Sequence, residues 1–84
     1  MNYRVIIASS ARREIDKLDK DVRDRIIARI LSLEQEPRPN GVIKKQGEDA
    51  YRIRAGDYRV IYTIEDAVRV VTVIKVGHRR DVYR

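Results

Sequence analysis

Cysteine, tryptophan and phenylalanine are absent from the 84 residues, and histidine and methionine occur once each. Without cysteine there is no disulfide framework and no thiolate cluster, and a single histidine leaves no zinc site of ordinary composition. The only serines are Ser9, Ser10 and Ser32, and the first two sit where a helix would begin, so a Ser-His-Asp arrangement is excluded. Glycines 41, 47, 56 and 77 are too scattered to form a phosphate-binding loop. The apolar run Val5-Ile6-Ile7-Ala8 is too short for a signal-peptide core, and no stretch approaches the ~20 apolar residues of a membrane span. A soluble, cytoplasmic protein is the expectation. The length suits one domain over 1–84, with a core burying about 60–65 % of the unfolded chain's surface. No cofactor and no metal are implied.

Basic charge is what the sequence has in excess. Nineteen Lys and Arg against thirteen Asp and Glu give a net charge of +6. The first half, residues 1–42, contributes +2 and the second half +4, and most of the excess is arginine. Clustered arginine in a small basic domain points toward a polyphosphate partner. General solubility accounts for a net charge but not for its concentration in one half.

The pattern along the chain predicts β-α-α-β-β-β. Tyr3 to Ala8 is strand-like, with Val5, Ile6 and Ile7 supplying β-branched residues. Ser9 or Ser10 would cap a first helix, whose apolar edge is Ala11, Ile15 and Leu18. Asp19 or Asp21 would cap a second, with Val22, Ile26, Ile30 and Leu33 in line, and Pro37 and Pro39 ending it. Residues 50–54, 58–64 and 68–76 then read as a meander turning at 55–57 and 65–67. The expected fold is an α+β domain: an antiparallel sheet with a helical hairpin on one face and the other face open.

Side chains alternate along a strand, so Arg52 and Arg54 share a face. If Ala55-Gly56 is the two-residue turn, Arg54 pairs with Asp57 and Arg52 with Arg59, and all three arginines converge. A one-residue slip would send Arg59 to the other face. Guanidinium forks match phosphate oxygens and stay charged at physiological pH. Lys44 and Lys45 in the polar connection, and Arg80 in the tail, add cations for a polyphosphate backbone. Arg79 and Tyr83, four apart, share a side in either helical or extended form, and the Tyr83 ring suits stacking on a base. His78 is the one side chain whose reference pKa is near neutrality, which makes it a candidate for proton transfer.

The segments Tyr51-Arg-Ile-Arg-Ala-Gly-Asp-Tyr-Arg-Val-Ile-Tyr62 and Val76-Gly-His-Arg-Arg-Asp-Val-Tyr83 resemble the RelE family of bacterial and archaeal toxins. The resemblance extends over essentially the whole chain and implies a RelE-like fold. It also implies a toxin that enters the ribosomal A site and cuts mRNA, an endoribonuclease of a type II toxin–antitoxin system. Arg52 and Arg54 match the family's basic pair, Arg59 its next-strand arginine, and Arg79 and Tyr83 its tail residues. Well-studied members often carry lysine where Arg52 and Arg54 stand, and some extend into a further C-terminal helix. The implied partners are a RelB-like antitoxin, the ribosome with its mRNA, and operator DNA through the toxin–antitoxin pair. The alternatives are a ParE-like inhibitor of DNA gyrase, which shares the fold and acts by binding, and an inactive basic module.

Overall fold

The computed structural model describes residues 2–44 and 49–78. Strand β1 (Arg4–Ile7) leads into helices α1 (Ser9–Asp16) and α2 (Lys20–Leu31), which continues into a 3-10 turn (Ser32–Glu34). Strands β2 (Ile43–Lys44), β3 (Ala50–Ala55), β4 (Tyr58–Glu65) and β5 (Val70–His78) follow. They form one sheet in the order β1-β5-β4-β3-β2. The expected antiparallel meander is β3 to β5; β2 is an additional short strand antiparallel to β3, and β1 is added parallel to β5, with Val5 beside Val71. The reason lies in the connections. The helical pair runs up and back along the sheet and the strands after it alternate, so β5 runs in the same direction as β1. No described helix is long and apolar enough to cross a membrane.

Neither Ser9 nor Ser10 caps α1; Ala8 holds that position. The strand passes straight into the helix, because the Ala8 amide still bonds to the Val73 carbonyl while the Ala8 carbonyl already accepts from Arg12. Ser10 instead donates its hydroxyl to the Ile74 carbonyl. Of the two candidates Asp19 and Asp21, Asp19 takes the N-cap position of α2, but its side chain makes no capping hydrogen bond. Apolar residues three and four apart then turn one stripe of each helix inward. Ala11 and Ile15 of α1, Ile26 and Ile30 of α2, and Leu33 are buried against Ile53, Val60, Tyr62, Val71, Val73 and Val76 of the sheet.

Two anchors secure the end of the sheet where β4 turns into β5. Tyr62 is fully buried and donates its hydroxyl to the Pro37 carbonyl at 2.7 Å, so the segment that ends the helical hairpin is bonded to the core. Burial pushes the Tyr62 phenol up to about 12. Beside it, Arg38 grips Asp66 through both nitrogens, at 3.2 and 2.8 Å, and its Nε donates to the Tyr51 hydroxyl. Tyr3 donates a further hydrogen bond to Asp66 at 2.7 Å. These bonds, that of Arg38 first, hold the Asp66 carboxyl down at about 2.

Candidate functional site

The β3–β4 hairpin decides which side chains meet. Ala55 pairs with Tyr58, so the two-residue turn is Gly56-Asp57, and Gly56 has the positive φ of 62° that such a turn favours in glycine. Arg54 therefore lies opposite Arg59, and Arg52 opposite Ile61. The sequence-based pairing of Arg52 with Arg59 is thus displaced by two residues. Two is the period of a strand, so the displacement keeps every side chain on its expected face. Arg52, Arg54 and Arg59 project to the side of the sheet away from the helices, because Ile53, Ala55 and Val60 occupy the helix-covered side.

Strand β2 is too short to cover β3. Among the described residues it pairs with Tyr51 and Arg52, and no described strand lies beside the outer edge of β3 from Ile53 onward. A groove of about 380 Å³ opens there, lined by Arg29, Asn40, Ile43, Arg52, Arg54 and Arg59 among others. No acidic residue is among its described lining. Arg29 comes from α2 and donates its Nε to the Arg54 carbonyl at 3.3 Å, answering a backbone acceptor on that open edge. Arg54 is exposed, whereas Arg59 is only 7 % exposed. Four guanidiniums thus line one groove, and their positive fields add there.

The other expected residues are distributed differently. Ile43, not Lys44, stands beside Arg52; Lys44 lies beside Tyr51 with its ammonium 5.9 Å from the ring centre. His78 is the last residue of β5, not part of a tail, and pairs with Tyr58. Their rings meet edge to face at 5.5 Å, which places His78 on the helix-covered side, near Glu14, Lys17 and Leu18. Lys45, Arg79, Arg80 and Tyr83 lie outside the described residues. Arg29 is a groove residue that the sequence alone does not single out. The position was visible in the helical period, but the absent edge partner of β3 that draws it over was not.

A small α+β domain with a basic groove on the open side of its sheet is therefore the class that fold and site define. Over residues 5–83 the sequence matches the family described as the ParE toxin of the type II toxin–antitoxin system parDE. Toxin RelG of Mycobacterium tuberculosis is 32 % identical over an alignment spanning all of this chain and 99 % of that protein. The archaeal RelE of the RelE–RelB complex from Pyrococcus horikoshii superposes with a TM-score of 0.80 at 33 % identity, covering 94 % of this chain and 97 % of that one. The isolated E. coli RelE toxin gives 0.78 at 31 %, covering 96 % and 90 %. The chain belongs to the RelE/ParE family of type II toxin–antitoxin toxins.

Proposed function

We propose that this toxin is an endoribonuclease that cuts mRNA in the ribosomal A site, by attack of the substrate's own 2′-hydroxyl on the adjacent phosphate. The observation that carries this reading is the convergence of Arg52, Arg54 and Arg59 on one open face, around a groove with no acidic residue among its described lining. In the step, the 2′-oxygen bonds to phosphorus and gives up its proton. The bond to the 5′-oxygen breaks and that oxygen takes a proton, leaving a 2′,3′-cyclic phosphate and a 5′-hydroxyl. Negative charge grows on the non-bridging oxygens as the pentavalent state forms, and preorganised donors aimed at that charge supply the largest contribution to rate. Arg59 and Arg79 hold that phosphate in this reading. Arg52 and Arg54 hold the flanking backbone, with Lys44, Lys45 and Arg80 as outlying cations. Tyr83 stacks on or orients a base and exchanges a proton; His78 is the second titrating candidate. The ribosome supplies the alignment, worth on the order of several kcal/mol through effective molarity. The partners in this reading are a RelB-like antitoxin, as in the P. horikoshii complex, the ribosome and its mRNA, and operator DNA through the antitoxin complex, all in the cytoplasm.

The match to the ParE description favours one second reading, inhibition of DNA gyrase by binding. Two assays separate them: mRNA cleavage on programmed ribosomes and gyrase supercoiling. Cleavage by the wild-type chain, lost in Arg79→Ala with the fold retained, is the expected result. Unchanged cleavage and toxicity in that variant, or inhibited supercoiling without cleavage, would overturn the reading.

A further inference from the structure

The basic surface does not end at the groove. A second, more open hollow of about 430 Å³ lies beside it, lined by Arg25, Ala28, Arg29, Ser32, Arg54, Ala55 and Gly56. The two hollows share Arg29 and Arg54, so they form one path from the open face of the sheet, over the bare edge of β3, onto the outer side of α2. Arg25 and Arg29 are four residues apart and stand on one side of the helix, where two like charges disfavour each other. Both guanidiniums nevertheless point toward the hairpin rather than away from it. Arg29 is bonded to the Arg54 carbonyl, and Arg25 Nη1 lies 3.6 Å from the place a Cβ would occupy on Gly56. The Arg25 head thus lies at van der Waals distance beside the Gly56 turn.

We infer that Arg25 and Arg29, with the Gly56 turn, form a second phosphodiester subsite that receives the same RNA strand as it leaves the arginine groove. A single strand presents a row of regularly spaced anions, and two adjoining cationic hollows with common walls suit successive phosphates of it. This inference rests on the reading of the groove as an RNA site, and the test separates the two.

The probe is a labelled single-stranded RNA of about twelve nucleotides with 2′-O-methyl sugars, which lacks the nucleophile and stays intact. Its binding to the isolated chain is followed by fluorescence anisotropy from about 50 to about 400 mM salt. Each single-strand phosphate contact adds about 0.7 to the slope of log K against log salt, so Arg25→Gln lowers the slope by about that amount and weakens binding about fivefold at 0.1 M salt. Arg25→Lys restores both. Arg12→Gln, the same charge change on the exposed side of α1, leaves the slope as it was. A probe of about four nucleotides, which the groove alone accommodates, is indifferent to Arg25→Gln. The inference is overturned if Arg25→Gln and Arg12→Gln behave alike on the longer probe while Arg54→Gln still weakens binding; the groove reading then stands. Failure of the wild-type chain to bind either probe overturns both.

Discussion

Two sets of arginine stand toward opposite ends of β4. At the β4–β5 end, Arg38 is gripped by Asp66, capped by Tyr51 and lies 5.3 Å over the Tyr51 ring. At the hairpin end, Arg54 faces Arg59 across the ladder, Arg52 stands one pleat away and Arg29 closes over the edge. The same side chain thus serves two purposes. Answered by a carboxylate of the fold, arginine ties three segments together. Set opposite another arginine, as Arg54 is to Arg59, it adds to a local concentration of positive charge, which the proposed function assigns to an RNA backbone.

Substitutions at the two ends should therefore separate activity from stability. The largest effect is expected from Arg52→Glu combined with Arg54→Glu. Losing two donors and gaining two like charges against phosphate should lower mRNA cleavage on programmed ribosomes by about a thousandfold or more. Removing the like-charge contact should at the same time leave the urea midpoint unchanged or raise it. Ile30→Ala inverts this: a cavity under α2 should cost about 2–5 kcal/mol in equilibrium denaturation. Cleavage per folded molecule should stay near wild type. Tyr62→Phe, which leaves the Pro37 carbonyl without its donor, should cost about 1 kcal/mol by the same measurement.

Acid tests the Arg38 clasp without mutation. Its carboxyl sits at about 2 in the fold against an ordinary 3.8. The contribution of Asp66 to stability is therefore complete above about pH 4 and is lost as pH falls toward 2. Thermal melts of wild type and Asp66→Asn should converge over that window and differ at neutral pH. The smallest effect expected is that of His78→Gln. Its ring lies across the sheet from the groove, so cleavage should fall less than tenfold.

The fold was legible because its signals are local. Ile26, Ile30 and Leu33 mark a helix by their spacing, Pro37 and Pro39 stop it, and Gly56 marks the turn that aligns β3 with β4. The face shared by Arg52, Arg54 and Arg59 was also legible, since only an odd register error could have broken it. What stayed hidden depends on partners distant in sequence. Asp66 reads as an ordinary turn residue until Arg38 reaches it from 28 positions away. Arg29 reads as a solvated helix residue until the shortness of β2 leaves an edge for it to cover. His78 read as part of a tail because Gly77 suggested an end to the strand, yet cross-strand pairing carries β5 through both.

The most direct test is the single-turnover rate of mRNA cleavage on programmed ribosomes for Arg59→Ala beside Asp66→Asn, both confirmed folded by their melts. The expected result is a loss of about a hundredfold or more for Arg59→Ala and a near-native rate for Asp66→Asn. Equal rates in the two variants would contradict the assignment of the hairpin arginines to the RNA backbone.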